Sequence, residues 1–210
     1  MTTATLDYGA LATQEQIEQT AAALEARGIK VVVTNTGAEA LDYIKQVIPA
    51  GATIMTGASI TLQQIGFEEV LISKAHPWVN LKDELLAEKD PARQAELRRK
   101  SILAEYFLGS VHAIAETGEI VIASATGSQL PSYAFSSPNV IWVAGAQKIT
   151  PTLDDAIRRV REYNFPRENQ RMKDMGYPGS MIGKLLIFER ESLYLNRHIT
   201  LILVKEAVGV

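Results

Sequence analysis

The sequence predicts an α/β fold in which a mostly parallel sheet is flanked by helices on both faces. Capping boxes that open amphipathic helices alternate with short β-branched runs between residues 13 and 56, and this alternation is typical of parallel strands joined by crossover helices. A chain of 210 residues can bury a core without disulfides, and no repeat or linker interrupts it. We therefore expect one domain over residues 13–210, preceded by an N-terminal tail of residues 1–12.

Strands and helices are assigned from capping residues, apolar spacing and β-branched runs. The parallel sheet is predicted to contain four strands: Lys30–Val33, Thr53–Thr56, Ile120–Ala123 and Asn139–Ala144. Helices are predicted at Thr13–Ala26, Thr36–Ile48, residues 60–105 with Tyr106 continuing the last of them, and Thr152–Val160. A loop rich in Gly and Pro over residues 163–183 and closing strands at Leu185–Phe188 and Ile199–Val204 complete the prediction.

Residues 106–150 form a charge-poor segment whose only charged residues are Glu116, Glu119 and Lys148. Within it, two apolar runs are separated by Glu116-Thr-Gly-Glu119, which predicts an antiparallel hairpin near residues 111–123 with glycine at a positive-φ position. The helix that begins after Thr152 is more highly charged. Its arginines, Arg158, Arg159 and Arg161, are expected to face solvent.

Composition excludes several classes of function. The chain has 21 basic and 24 acidic residues and a net charge of −3, so it lacks the basic excess of a nucleic-acid-binding protein. It has no cysteine, which excludes disulfides, thiolate zinc sites, cysteine-ligated iron–sulfur clusters and a cysteine nucleophile. The three histidines show no metal-ligand spacing and no dinucleotide glycine fingerprint occurs. We therefore expect neither a bound metal nor a cofactor.

The sequence also predicts the compartment. The longest apolar run, Val140–Ala146, is far shorter than the roughly 18 residues that a membrane span needs. The N-terminal residues show no basic segment followed by an apolar one, so no secretory signal is predicted. We expect a cytoplasmic protein that has neither a membrane nor a nucleic acid as partner.

Two glycine-containing turns are candidate anion-binding sites. Each follows a predicted strand and precedes a predicted helix, a position at which free backbone N–H groups and hydroxyls suit an anion. The residues are Gly57, Ser59 and Thr61 in the first turn and Gly127, Ser128 and Gln129 in the second. Because both strands are assigned to one parallel sheet, we expect both turns at its carboxyl edge, lining one crevice. A plain capped turn is the alternative at each position.

Glu116 is the candidate catalytic residue. A carboxylate at the rim of such a crevice can act as acid, base or nucleophile, whereas the alternative is a polar hairpin tip without a role. His112 is interpreted as a structural histidine within a strand. The segment that ends in Gly183-Lys184 fails as a phosphate loop, because its spacing is one residue short and it precedes a strand.

Five segments of the chain carry a resemblance to a known family. They are Gly57-x-Ser-x-Thr-Leu62, Gly109-Ser-Val-His-Ala-Ile-Ala-Glu-Thr-Gly118, Ser124-Ala-Thr-Gly-Ser-Gln-Leu130, Val140-Ile-Trp-Val-Ala-Gly-Ala-Gln-Lys-Ile149 and Ile199–Gly209. Together they resemble the LUD domain family of lactate-utilisation proteins, formerly called DUF162, over nearly the whole chain from about Gln14. Thr117, Gly118 and Lys148 lie in these segments and complete the candidate anion-binding set.

The resemblance implies a fold like that of the ribose-phosphate isomerase, glucosamine-phosphate deaminase and CoA-transferase superfamily. It further implies a non-redox accessory component of bacterial L-lactate utilisation, with iron–sulfur partner proteins and a small anionic ligand such as a phosphate, a sugar phosphate or a CoA-like molecule. A homodimer is also left open. The alternative is a stand-alone enzyme acting on a sugar phosphate or acyl-CoA with Glu116 as acid/base. His112 stands where some relatives carry a catalytic Asp, which argues against isomerase chemistry.

Overall fold

The computed structural model describes residues 6–210, so the first five residues of the predicted tail lie outside it. Ten strands are present: β1 Lys30–Thr34, β2 Thr53–Thr56, β3 Val79–Asn80, β4 Tyr106–Ser110, β5 Ala113–Ala115, β6 Ile120–Ser124, β7 Asn139–Gly145, β8 Ile149–Thr150, β9 Lys184–Phe188 and β10 His198–Val204. Six of them form one sheet in the order β1-β10-β7-β4-β2-β3, and every pair in it is parallel. The predicted α/β class with a mostly parallel sheet is confirmed.

Helices cover both faces of this sheet. They are α1 Gln14–Glu25, α2 Gly37–Val47, α3 Ile60–Gln64, α4 Phe67–Ile72, α5 Leu81–Ala87, α6 Pro91–Lys100, α7 Leu153–Arg159 and α8 Phe165–Asp174. On one face, α2, α3 and α4 pack against Leu108, Ile141 and Ile202. On the other face, α1 and α5 pack against Phe107, Trp142 and Leu201. Alternate residues of one strand thus enter two different cores, as the period of a strand requires.

A second, smaller sheet lies on the α1 face and makes the architecture more than two layers deep. Its order is β8-β5-β6-β9, and β6 pairs antiparallel with both β5 and β9. Ile114, Ile120 and Phe188 from this sheet share the core of the large one. Its opposite face is covered by Ala156 of α7 and by Val160, which follows that helix. The predicted hairpin near residues 111–123 is therefore confirmed as β5 and β6.

The structure corrects three assignments. Ile120–Ala123 is not a strand of the parallel sheet, because the tight Glu116–Glu119 turn pairs it antiparallel with β5. Its place in the parallel sheet is taken by Tyr106–Ser110, of which only Tyr106 is predicted to continue a helix; the segment instead pairs with β2 and β7. Residues 165–174 are helical rather than loop. Pro166 is compatible with that helix because it directly follows the π-helical segment Val160–Asn164, where the regular α-helical hydrogen bonds are already interrupted.

Gly109 is required at the centre of the parallel sheet by the ring of Tyr133. A Cβ at this position would lie 1.7 Å from the Tyr133 hydroxyl oxygen and 2.9 Å from Cζ. Tyr133 is fully buried, with its ring edge-on to Phe107 and Trp142, and β4 is held between β2 and β7. Neither partner can move aside without breaking packing or ladder hydrogen bonds.

We expect Gly109→Ala to lower the free energy of unfolding by about 3 kcal/mol, at the upper end of overpacking penalties. Gly57→Ala is the matched control, since a Cβ there meets nothing closer than 3.8 Å. Urea unfolding of both variants measures the difference. Tyr133→Phe removes the clashing oxygen and should recover part of the loss in the double variant; a Gly109→Ala protein as stable as wild type would contradict the packing described.

Among residues 6–210, no helix is both long and apolar enough to span a bilayer.

Candidate functional site

A cavity of about 730 Å³ opens where strands of the two sheets end. Three strands of the parallel sheet, β2, β4 and β7, deliver Gly57, Val111 and Lys148 just beyond their carboxyl ends. From the small sheet, β6 delivers the segment that begins at Ala125. The carboxyl edge of parallel strands is the usual ligand position in open α/β folds. The volume is that of a small-molecule site.

The two candidate turns meet in this cavity. Ser59 and Thr61 from the first turn and Ser128 and Gln129 from the second are all on its wall. A Cβ on Gly57 would lie 3.8 Å from Cβ of Gln129, so the two turns lie side by side at the cavity.

Each turn is shaped by its own hydrogen bonds. Ser59 accepts a hydrogen bond from the Leu62 N–H and thereby caps α3. Gly127, at φ +85°, donates its N–H to Ser124 Oγ at 2.9 Å. Gly127 itself is not on the wall; it turns the chain so that Ser128 and Gln129 reach it.

The route by which the turns meet differs from the predicted one. The first turn does follow a strand of the parallel sheet, whereas the second follows β6, which is antiparallel to its neighbours. The two sheets are stacked against each other, and it is this stacking that brings the end of β6 opposite the end of β2.

Lys148 lies at the floor of the cavity and is 2% exposed. Its Nζ donates to Thr61 Oγ1 at 3.0 Å, to Ser110 Oγ at 3.0 Å and to the Val111 carbonyl at 3.1 Å. All three acceptors are neutral, and Lys148 belongs to none of the ion pairs formed within residues 6–210. Burial, together with the positive charge of Arg159, lowers the pKa of Lys148 to about 7.

Arg159 is a second buried cation without a carboxylate partner in the described part of the chain. It donates to the His112 carbonyl at 2.5 Å and to Asn164 Oδ1 at 3.0 Å, and its guanidinium stacks on the ring of Tyr163. Burial lowers its pKa to about 10, so it stays charged at neutral pH. The expectation that Arg159 faces solvent is wrong, because it stands three residues after Ala156 and shares that residue's buried helix face.

His112 is on the cavity wall as well, half-buried between β4 and β5. Its Nδ1 accepts a hydrogen bond from the Ala123 N–H at 3.2 Å. Burial lowers its pKa to about 3, helped by the charges of Lys148 and Arg159. The imidazole is therefore neutral throughout the physiological range. The sequence indicated a strand histidine but gave no signal that β4 ends at a cavity.

The outer wall of the cavity combines charge with apolar surface. In addition to Lys148 at the floor, the cavity is lined here by the cationic side chains of Lys82, Arg98 and Arg171 and by the carboxylates of Glu68 and Glu168. Arg171 pairs with Glu168 at 2.7 Å, whereas Lys82 donates to Thr56 Oγ1. The wall thus has an excess of positive charge. Its apolar part is rich in flexible side chains, with Met172, Met175 and Met181 at one end.

The remaining candidates lie elsewhere. Glu116, at the hairpin tip, accepts a hydrogen bond from Gln16 Nε2 at 2.7 Å and does not line the cavity. Thr117 and Gly118 face Arg27, which lies just after α1. The Arg27 side chain donates a hydrogen bond to the Thr117 carbonyl at 2.8 Å. The structure therefore brings together the Gly57 turn, the second turn and Lys148, but not the hairpin-tip residues. The described residues contain no group of three metal-ligating side chains.

The fold and the site together define a class of protein. It is a single-domain α/β protein with a ligand-sized, cationic cavity at the carboxyl ends of its strands. The family model described as the LUD domain matches residues 17–182, and the chain belongs to the LUD domain family. The fold is similar to the crystal structure of a DUF162 family protein from Deinococcus radiodurans at 1.70 Å resolution, with a TM-score of 0.57 and 13% sequence identity. That likeness covers 93% of this chain and 99% of the other. No curated protein matches the sequence.

Proposed function

We propose that this LUD-domain protein is a non-redox accessory component of L-lactate utilisation that binds a small anionic ligand in the cavity. Family membership supports the link to lactate utilisation in general. The observation that carries the binding proposal is the buried ammonium of Lys148 at the cavity floor, which is held only by neutral acceptors. A buried cation without a counter-ion is stabilised by an anion that enters beside it.

The ligand classes under this proposal are phosphate, a sugar phosphate, a CoA-like molecule or a small carboxylate. The hydroxyls of Ser59 and Ser128 on the cavity wall supply neutral hydrogen bonds to the ligand, whereas the Thr61 hydroxyl is already bonded to Ser110 and Lys148. The methionine-rich end offers apolar surface to the rest of a larger ligand. Iron–sulfur partner proteins and a second copy of this chain remain proposed partners, and a cytoplasmic location remains the proposed compartment. The hydrogen bond of Glu116 with Gln16 gives no support to the alternative, an enzyme that uses Glu116 as acid/base.

Removing one hydroxyl from either turn tests the binding proposal. A hydrogen bond to a charged group contributes about 1.5–3 kcal/mol. Ser59→Ala and Ser128→Ala should therefore each lower the affinity for the same anion roughly tenfold to a hundredfold. Calorimetric titration with phosphate, glucose 6-phosphate, CoA and L-lactate measures this. Ser73→Ala is the control, because the Ser73 hydroxyl donates to carbonyls of the helix before it and the residue does not line the cavity. Wild-type protein that binds none of these anions refutes the proposal.

The non-redox part of the proposal has its own test. The chain has no cysteine to hold a cluster and no nucleotide fingerprint, so the purified protein should show no visible absorbance and should not oxidise L-lactate by itself. Absorbance from 300 to 700 nm is followed across a gel-filtration peak together with a dye-reduction assay. A band that co-elutes with the protein in constant proportion would contradict this expectation.

A further inference from the structure

His112 is held in one tautomer by the backbone of the small sheet. Its Nδ1 accepts the Ala123 N–H of β6 at 3.2 Å, so Nδ1 carries no proton in the neutral ring. The proton of a neutral imidazole is then on Nε2, which becomes a hydrogen-bond donor. No residue of the described chain accepts that hydrogen bond. Nε2 is also not one of the fully buried polar atoms that lack a partner, so it is accessible. It is therefore open to the cavity that His112 lines.

The charges around His112 keep the ring neutral. Lys148, after β7, and Arg159, on α7, face it as cations, and the Arg159 guanidinium bonds the carbonyl of His112 itself. The other ionisable groups of the cavity are Lys82, Arg98 and Arg171 and the carboxylates Glu68 and Glu168, all on the helices of the outer wall. Protonation of His112 would add a third positive charge beside two buried ones, which low local polarity opposes.

We propose that His112 is a binding residue that donates a fixed, neutral hydrogen bond from Nε2 to an acceptor oxygen of the ligand. The inference rests on the proposed anion-binding function. With Lys148 supplying positive charge in the same cavity, the ligand combines an anionic group with a second, uncharged oxygen that accepts this hydrogen bond.

The tautomer is tested first, on wild-type protein without ligand. Uniform ¹⁵N labelling and long-range ¹H–¹⁵N spectra identify the protonated ring nitrogen, and the chain has only three histidines to distinguish. His112→Asn assigns the signals. We expect a neutral ring protonated at Nε2 and unchanged from pH 8 to pH 5. A ring that is protonated at Nδ1, or that titrates in this interval, overturns the proposal.

The acceptor oxygen is tested with pyruvate, propionate and sulfate as probes. Pyruvate differs from propionate by a carbonyl oxygen at the adjacent carbon, so wild-type protein should bind pyruvate about tenfold more tightly. His112→Asn keeps an oxygen for the Ala123 N–H but has no donor that reaches the cavity. This variant should therefore bind pyruvate and propionate about equally well. His112→Gln keeps a donor near the position of Nε2 and should retain most of the preference.

The outcomes separate this inference from the function on which it rests. If wild type binds sulfate or propionate but shows no preference for pyruvate, the role of His112 is refuted and the anion site stands. The same holds if His112→Asn keeps the full preference. If wild type binds none of the three probes, the proposed function fails and the inference fails with it.

Discussion

Glu191→Ala is expected to lower the free energy of unfolding by about 3–5 kcal/mol, because it leaves a buried arginine without its charge partner. The Glu191 carboxylate meets Arg197 at 2.7 Å, and the two side chains are 6% and 5% exposed. The Arg197 guanidinium also donates to the carbonyls of Ser132, Tyr133 and Ala134 in the π-helical segment Ser132–Ser136, and to that of Ser137 just after it. Glu191 thus neutralises the cation that anchors this segment beneath the cavity.

Glu189→Ala is the matched control for that substitution. Glu189 also pairs with an arginine, Arg27, at 3.3 Å, but its side chain is 62% exposed. An exposed pair of this kind contributes less than about 1 kcal/mol. Both variants are compared with wild type by urea unfolding at pH 7. Equal effects of the two substitutions would show that burial does not govern the strength of the Glu191 pair.

The local sequence predicted the fold well wherever one residue determines an element end. Thr13 caps α1 with both hydrogen bonds of a capping box, and Thr36 caps α2 by accepting from the Glu39 N–H. Gly118, at φ +96°, closes the β5–β6 hairpin as predicted. These features depend on contacts within four residues along the chain, which is the range over which a sequence pattern carries information.

The errors arise where distant packing decides. Tyr106–Ser110 contains two small residues and no clear alternation, yet it becomes a central strand because β2 and β7 pair on its two sides. Arg159 is fully buried although arginine rarely is. Its burial depends on partners as remote as the Tyr8 carbonyl. The sequence pattern within either segment does not predict these distant contacts.

The candidate site was predictable in part for the same reason. The Gly57 turn is a local strand-to-helix motif, and its place at the carboxyl edge follows from parallel topology. Glu116 was selected because it is a carboxylate in a charge-poor segment, but the hairpin carries it toward α1, where Gln16 binds it. The place of His112 on the cavity wall was not predicted, because it depends on the cavity at the end of β4, which is a tertiary property.

Lys148→Met is expected to abolish most anion binding while the protein stays folded. Removing one charge from a desolvated ion pair costs about 2–5 kcal/mol of binding, which is a loss of roughly 30-fold or more. For stability, two effects oppose each other. Methionine relieves the burial of an ammonium without a counter-ion, but it leaves the Val111 carbonyl without the donor at 3.1 Å. The net change in stability should therefore be small.

Lys184→Met is the control for loss of a positive charge near the cavity. The aliphatic part of Lys184 packs against Gly127 of the second turn, but the residue is exposed and is not on the cavity wall. It should leave affinity for sulfate and L-lactate within about twofold of wild type, since exposed charges are screened. Equal losses in both variants would mean that general electrostatics, and not the Lys148 site, attracts the anion.

Proton uptake gives the sharpest evidence that Lys148 itself meets the anion. With a pKa lowered to about 7, the amine is mostly neutral at pH 8 in the free protein, and an adjacent anion raises its pKa again. Binding of sulfate or L-lactate, neither of which titrates here, should then take up nearly one proton at pH 8 and almost none at pH 6. Calorimetry in two buffers of different ionisation enthalpy measures the uptake. Affinity should rise as the pH falls from 8 to 6, and in Lys148→Met both the uptake and this pH dependence should disappear; a wild-type protein that binds sulfate at pH 8 without taking up a proton rules out Lys148 as the group that receives it.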